Sequence, residues 1–113
     1  DAFQKTADEP FYLYDIVRIV YLSDRFAYDL KSFRELLPKV STYSVFFHFI
    51  ESRLRTQLDS DDFSTWIEES LNIPRLAQRI RKIDVNVYTL EGVRARILEL
   101  IDEHLKEAEH NQL

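Results

Sequence analysis

The chain has 113 residues, of which 45% are hydrophobic and 13% aromatic, and it carries a net charge of −5. This length is typical of one domain that buries a core without disulfides or a metal ion. The chain contains no cysteine, which excludes disulfide frameworks, thiolate nucleophiles and zinc–thiolate sites. No apolar run approaches the roughly 20 residues of a membrane-spanning helix, and no signal peptide is visible. We therefore expect a cytoplasmic protein without a membrane partner.

Glycine and proline are scarce, at one and three residues. An all-β domain needs many turns, so this scarcity favours helices joined by short polar links. We predict an all-α fold, with a single compact domain of five or six helices in an orthogonal or bundle-like arrangement. The domain is expected at residues 10–108, between a loose polar leader at 1–9 and a frayed C-terminal tail at 109–113.

The first predicted element covers residues 11–22. Its apolar positions approximate a helical stripe, whereas its many β-branched and aromatic residues are also typical of a strand. We favour a helix and keep a strand as the alternative. Asp24 is a candidate N-cap for the next helix, which Pro38 should end because proline disfavours helical geometry at the residue before it.

A third helix is predicted at about residues 43–57, with Ser41 and Thr42 as N-cap candidates. The first half of this helix is apolar nearly all round. A helix without a polar face is usually covered by neighbours on several sides. We therefore expect this helix at the centre of the domain.

Three more helices are predicted in the C-terminal half. Asp61 or Ser60 should cap the fourth helix, Pro74 suits the first turn of the fifth, and Thr89 should cap the last. The last helix has the most regular apolar stripe in the chain. Residues 85–88 are expected to form a short extended link before it.

Charge is unevenly distributed over this half of the chain. Residues 57–72 hold five acidic and no basic residues, 73–98 hold six basic and two acidic, and 99–113 hold five acidic and one basic. Such alternation is typical of salt-bridged faces within a domain or of complementary contact between copies. A nucleic-acid surface would need a broad basic excess, so we do not expect a nucleic-acid partner.

Six short motifs occur in order along the chain: SVFFHF at 44–49, DDFSTW at 61–66, LAQRI at 76–80, ID at 83–84, LEGVR at 90–94 and IDEHL at 101–105. In this series the chain resembles the small helical domain-of-unknown-function family numbered fifty-seven fifty-two, found in bacteria and archaea. The resemblance covers roughly residues 11–105. It implies a helical fold in a bacterial or archaeal protein, and it implies no activity, substrate or cofactor.

His48 is the first candidate site residue, because a buried imidazole near a carboxylate such as Glu51 can act as a base or a ligand. Ser44 and Ser52 lie one helical turn away on either side. The structural alternative, which we favour, is a core histidine that is hydrogen-bonded to one of these serines or to a backbone carbonyl.

Three cations at helical spacing form a second candidate site, which we call the basic row: Arg75, Arg79 and Lys82. Arg94 and Arg96 are expected to extend the row from the neighbouring helix. A row of this kind can bind a phosphate group. The alternative, which we favour, is a solvated face that pairs with neighbouring acidic residues.

Metal and cofactor sites lack support in the sequence. An EF-hand loop starting at Asp59 would place Phe63 at a ligand position and Ser64 where glycine is needed. The Glu-x-x-His spacing at 107–110 stands alone, whereas a di-metal bundle needs a second inward-facing copy. One glycine cannot build a phosphate loop. We therefore predict no cofactor and no metal.

The function predicted from these observations is a non-enzymatic protein interaction or regulatory module. It would bind a protein partner or a second copy of itself, either through its charged faces or through the aromatic side chains of Phe11, Tyr12 and Tyr14. The alternative is a protein, or a minor enzyme, that binds a small ligand or a phosphate group with His48 and the basic row.

Overall fold

The computed structural model describes residues 7, 10–12, 26–56 and 61–111, and of residues 12, 26, 55, 56, 110 and 111 it describes the backbone alone. Most of the predicted leader, the predicted cap at Asp24 and the whole of Tyr14 lie outside the described residues. Asp59 and the end of the predicted tail also lie outside them.

The described part of the chain is a single all-α globule, as predicted. Its elements are β1 (Phe11–Tyr12), β2 (Phe26–Ala27), α1 (Leu30–Leu36), a 3₁₀ turn (Leu37–Lys39), α2 (Thr42–Val45), a π-helical stretch (Phe46–Glu51), α3 (Ser52–Thr56), α4 (Asp62–Glu69), α5 (Pro74–Arg81) and α6 (Leu90–Asn111). Since α2, the π-helical stretch and α3 follow without a break, we call them together the central helix. The described residues thus hold five helices, and α6 includes residues 109–111, which we had expected to fray.

The helix predicted for residues 11–22 is wrong at its start. Phe11–Tyr12 is a short strand that pairs antiparallel with Phe26–Ala27, with Phe11 opposite Ala27. Aromatic residues favour strands because they pack well on a pleated surface. The strand that we kept as the alternative is therefore what the first two residues form, and residues 13–22 lie outside the described part of the chain.

Side-chain caps begin four of the described helices: the central helix, α4, α1 and α6. Ser41 accepts a hydrogen bond from the Ser44 amide at 3.1 Å, and Asp61 accepts one from the Ser64 amide at 2.8 Å. Both caps were predicted. The cap of α1 is Asp29, which accepts from the Ser32 amide while the Ser32 hydroxyl accepts from the Asp29 amide. Each cap satisfies an amide that has no partner inside its helix.

The central helix buries one face and leaves the other open. Val45, His48 and Phe49 are buried, while Tyr43 and Leu54 are exposed. The helix packs against α4 and α6, but its apolar first half is not covered on all sides as the prediction of a central helix had assumed. A π-helical stretch holds an extra residue in its turn, so it shifts the side chains that follow it around the helix axis.

Helices α4 and α5 pack together, and α5 packs against α6. Their inward residues are Phe63, Trp66, Ile67, Leu76, Ala77 and Ile80, and α6 adds Val93, Ile97, Leu100 and Ile101. The chain turns between α4 and α5 at Asn72, whose φ of 58° lies in the left-handed region. Asparagine tolerates this conformation better than most residues. The α5–α6 contact positions the groove described below.

Phe11 lies in the aromatic core and is 9% exposed. Its ring centroid is 5.9 Å from that of Phe33, 5.6 Å from that of Phe63 and 5.4 Å from that of Trp66. The prediction that Phe11 belongs to an interaction surface is therefore corrected, because the β1–β2 pairing turns this side chain inward. The side chain of Tyr12 lies outside the described residues.

Candidate binding groove

An open cavity of about 500 Å³ lies where the end of α5 and the link after it meet α6. Its lining combines three cations, one carboxylate and four apolar or aromatic side chains: Arg79, Lys82, Ile83, Asp84, Val87, Tyr88, Arg96 and Leu100. We call this cavity the groove. Its volume falls in the range of about 300–1,000 Å³ that is usual for ligand pockets.

Helix α5 supplies one wall of the groove because its two faces differ. Pro74 stands in its first turn, as predicted, and Leu76 and Ile80 are buried against the core. Arg79 and Lys82 therefore point away from the core, since they lie between the buried positions of a 3.6-residue repeat. The helix ends at Arg81, and the chain turns away after Ile83.

A tight turn at residues 84–87 forms the rim of the groove, where an extended link had been predicted. The Asp84 carboxylate accepts a hydrogen bond from the Asn86 amide at 2.9 Å, and the Asp84 carbonyl accepts one from the Val87 amide at 3.1 Å. This turn leaves Val87 73% and Tyr88 40% exposed. Two apolar side chains are thus held at the surface beside the cations.

Gly92 gives the Tyr88 ring room to lie against α6. A methyl group at Gly92 would lie 3.3 Å from the Tyr88 ring and 3.2 Å from the Thr89 hydroxyl. Both distances are shorter than ordinary carbon van der Waals contacts of about 3.5–4.0 Å. The Thr89 hydroxyl accepts from the Gly92 amide at 3.0 Å, which is the predicted cap of α6. Glycine at position 92 therefore leaves room both for the Tyr88 ring at the rim of the groove and for the Thr89 hydroxyl that caps α6.

Two cations of the groove, Arg79 and Arg96, form solvent-exposed ion pairs. Arg79 lies 3.8 Å from the Glu103 carboxylate, and Arg96 donates to Glu99 at 2.8 Å. The hydrogen bond from Arg96 to Glu99 raises the pKa of Arg96, so this guanidinium stays charged. Lys82 makes no ion pair with any residue that the structure describes. Exposed pairs of this kind contribute about 0–1 kcal/mol, so the groove remains available to another anion.

His104 of α6 lies close to the basic row. Burial lowers the pKa of His104 below its ordinary value, Arg75 and Arg79 lower it further, and Glu107 opposes them. The imidazole is therefore largely neutral near pH 7. Sequence reasoning had set His104 aside, because only the packing of α5 on α6 brings it to the arginines.

His48 lies in a second cluster, at the contact between the central helix and the start of α4. It is 3% exposed, and its Nδ1 lies 3.1 Å from the Asp62 carboxylate. An ionised carboxylate only accepts hydrogen bonds, so Nδ1 is the donor. The rings of Phe11, Phe47 and Phe63 surround the imidazole at centroid distances of 5.0, 5.1 and 5.4 Å.

Ser52 also connects the central helix to α4. Its hydroxyl donates to the His48 carbonyl at 2.7 Å and accepts from the Asp62 amide at 3.2 Å. From the sequence we had predicted a serine hydroxyl or a backbone carbonyl as the hydrogen-bond partner of the His48 imidazole. The contact with Asp62 was not predicted. Glu51, the carboxylate predicted beside His48, lies half-buried at the end of the π-helical stretch.

Asp61 and Arg53 extend this cluster. Asp61 is buried and accepts from the Ser64 hydroxyl at 2.9 Å and from Arg53 at 3.4 Å. Burial raises the pKa of Asp61, although the bonds from Ser64 and Arg53 oppose the rise. Arg53 also donates to the Arg81 carbonyl at 3.2 Å and lies 4.3 Å above the Phe49 ring. We call this set, with His48, Ser52 and Asp62, the buried network.

The candidate residues from the sequence therefore fall in different places. Arg79 and Lys82 line the groove and Arg75 stands one turn earlier on α5, whereas His48 does not line it. Arg94 does not extend the basic row, because it is buried and donates to the carbonyls of Leu37 and Val40 at 2.9 and 2.6 Å. Among the groove residues that the sequence missed are Val87 and Tyr88. Their one signal in the sequence is that they are adjacent apolar residues in the short link between two predicted helices.

Metal binding finds no support among the described residues, which contain no group of three or more potential ligands arranged to hold an ion. Within the same part of the chain, no helix combines the length and apolar composition needed to cross a bilayer. The groove can bind through charge and apolar contact.

The fold and the groove define a small all-α domain with a cation-lined surface groove. The family model described as "Family of unknown function (DUF5752)" matches residues 2–102, so the chain belongs to this family. The resemblance inferred from the six sequence motifs is thereby confirmed. Neither the curated proteins nor the solved structures give a match.

Proposed function

We propose that the protein is a non-enzymatic interaction module and that the groove receives part of a partner protein. The observation that carries this proposal is the exposure of Val87 and Tyr88 beside Arg79, Lys82 and Arg96 in one cavity. Aromatic and arginine side chains are enriched at protein interfaces, where they supply most of the binding energy. The proposal includes a cytoplasmic location in a bacterial or archaeal cell, which the cysteine-free sequence supports.

The enclosure of His48 supports a module without catalysis at that residue. The imidazole is 3% exposed and is surrounded by aromatic rings. A general base must come within hydrogen-bond reach of a substrate proton, and this imidazole offers no open approach. The Asp62 contact and the network around it are the arrangement expected of a buried polar group that stabilises a fold.

Photo-crosslinking from two matched positions tests the proposal. Val87 and Leu54 are 73% and 75% exposed, but only Val87 lines the groove. A photoreactive phenylalanine analogue is placed at either position in the full chain, in cells that make the protein. We expect a crosslinked protein from position 87 and none from position 54. Equal yields from both positions, or none from position 87, would contradict the proposal.

A second candidate function is the binding of a phosphate group at the basic row. The observation that favours it is the row of cations along α5 at Arg75, Arg79 and Lys82, which also lowers the pKa of His104 through Arg75 and Arg79, since guanidinium and ammonium groups bind phosphate oxygens. The site would use His104 in place of His48, which does not line the groove.

Titration of inorganic phosphate against the protein tests this second candidate by NMR. A bound dianion should raise the pKa of His104, because it offsets the two arginines that lower it. The same titration with Arg75→Gln should give a smaller rise. An unchanged pKa of His104 at saturating phosphate would exclude the candidate.

A further inference from the structure

We infer that the occupant of the groove is an acidic segment of a different protein, in which an apolar side chain lies between or beside carboxylates. This inference rests on the proposed function and specifies the partner. It depends on the apolar and the charged halves of the groove, and on the ion pairs that the chain's own acidic residues already make.

The apolar half of the groove offers a place for one side chain. Ile83 and Leu100 are almost fully buried and form the floor, while Val87 and Tyr88 rise from the rim. Burial of an aliphatic or aromatic side chain contributes about 1.5–3 kcal/mol. The exposed Tyr88 adds a flat surface and a hydroxyl, which is the combination that interfaces favour.

The charged half of the groove selects for carboxylates. Three of its side chains are cationic, and its one carboxylate, Asp84, already accepts a hydrogen bond from the backbone of its own turn. The contact of Arg79 with Glu103 is long, at 3.8 Å, and Lys82 has no ion pair among the described residues. A partner's carboxylates can therefore bind at Arg79 and Lys82 without breaking a close ion pair, whereas Arg96 donates to Glu99 at 2.8 Å.

The basic row gives the spacing of the partner's charges. Arg75 and Lys82 are separated by two turns of α5, which corresponds to about 10 Å along a helix. An extended chain advances about 3.3 Å per residue. Since only alternate side chains of an extended chain share a face, carboxylates that reach both ends of the row are expected about two or four positions apart, with the apolar residue near the Lys82 end, where the groove lies.

The chain's own acidic segments are poor candidates for the occupant. Four of their carboxylates are paired within the described part of the chain: Glu68 with Arg81, Asp102 with Arg34, Glu99 with Arg96 and Glu103 with Arg79. These four also lie on folded helices. A nucleic-acid backbone would bring a phosphate at every nucleotide against the acidic flank of α6. A short segment of another protein, with only a few carboxylates, meets less repulsion there.

Selection from a random-peptide display library on the full chain tests the inference. We expect enriched peptides to carry two carboxylates about two or four positions apart, on one face of an extended chain, with an aliphatic or aromatic residue beside one of them. Binding of the best peptide should weaken at least tenfold with Lys82→Glu and with Tyr88→Ala. The matched controls are Lys106→Glu, with the same charge change away from the groove, and Tyr43→Ala, on the open face of the central helix.

Several results would overturn the inference. They are enrichment of neutral or basic peptides, failure to enrich any peptide, and equal weakening by the groove variants and their controls. Circular dichroism of each variant shows whether its fold is intact. Crosslinking from Val87 to a partner whose crosslinked segment is neutral, or to a second copy, would contradict the inference and leave the proposed function standing. Absence of any crosslink from Val87 would contradict both.

Discussion

The buried network and the groove both contain arginine, aspartate and an aromatic ring, yet their surroundings differ. In the network, Asp61 accepts hydrogen bonds from the Ser64 amide, the Ser64 hydroxyl and Arg53. The packing of α4 on the central helix encloses these groups. In the groove, Arg79 and Arg96 face solvent and pair with exposed glutamates. Enclosed, satisfied polar groups specify a fold, whereas open ones are available for binding. We therefore assign stability to the network and recognition to the groove.

The largest effect expected from this comparison is at the cap of α4. Asp61→Ala should lower the free energy of unfolding by about 3 kcal/mol, because loss of a cap costs about 1 kcal/mol and each buried group left without a partner costs about 1 kcal/mol or more. Urea denaturation measures the change. Asp29→Ala at α1 is the control, since that cap is less buried and its loss should cost about 1 kcal/mol. Equal losses at the two caps would remove the distinction between the network and an ordinary helix cap.

Replacement of the imidazole tests the network at its aromatic end. His48→Phe keeps a ring among its aromatic neighbours but removes the donor to Asp62. We expect a loss of about 1 kcal/mol in the free energy of unfolding, since the half-exposed Asp62 carboxylate can be hydrated instead. Binding of a selected peptide should not change. A variant of unchanged stability with weakened binding would reverse the roles that we assign.

The pH dependence of stability gives a sharper test of Asp61. Burial raises the pKa of Asp61 in the folded chain above its ordinary value of 3.8. The folded state then holds this proton more tightly, so the stability that it contributes is complete below 3.8 and is lost as pH rises through the raised value. Asp61→Asn keeps a side chain that can cap α4 but does not titrate. The free energy of unfolding of the natural chain minus that of Asp61→Asn should therefore fall as pH increases through this window, and a rise would contradict the account.

Substitutions in the groove should change stability little. Lys82→Glu and Tyr88→Ala alter exposed side chains, and surface changes away from caps and cores usually stay within about 0.5 kcal/mol. Thermal and urea denaturation provide the comparison with the network variants. If either groove variant destabilised the chain as much as Asp61→Ala does, the groove would be part of the fold's support and not a separate surface.

The smallest effect concerns the link between the basic row and His104. Arg75→Gln removes a cation that lowers the pKa of His104, so the pKa should rise toward 6.5, its ordinary value. An NMR titration of the imidazole protons measures this change. Lys106→Gln serves as the control, and a rise of equal size in that variant would show that the effect is not specific to the row.

Local signals in the sequence predicted most of the helical framework. Ser41, Asp61 and Thr89 cap helices as expected, and Pro74 opens α5, because each residue acts on amides a few positions away. The strand at Phe11 was kept only as the alternative to a helix, because its partner, Ala27, lies beyond the window in which periodicity is read.

Contacts between distant segments explain why the sites were harder to predict. His48 and Asp62 are separated by 14 positions, and the π-helical stretch shifts the register on which helical spacing rests. Arg94 looked like part of a basic surface, but it is held by carbonyls at the end of α1 and after it, more than 50 positions away. The sequence predicted the basic row, of which Arg79 and Lys82 line the groove. Only the structure of the turn at Asp84 shows that Val87 and Tyr88 line the groove beside them.

The division of roles can be tested most directly by mapping a selected peptide onto the protein with backbone amide NMR shifts. The account predicts that the shifts changed by the peptide concentrate at residues 79–88 and 96–100, and that amides at 44–53 and 61–64 stay unchanged. Shifts concentrated around His48 and Asp61, with the groove unaffected, would contradict it.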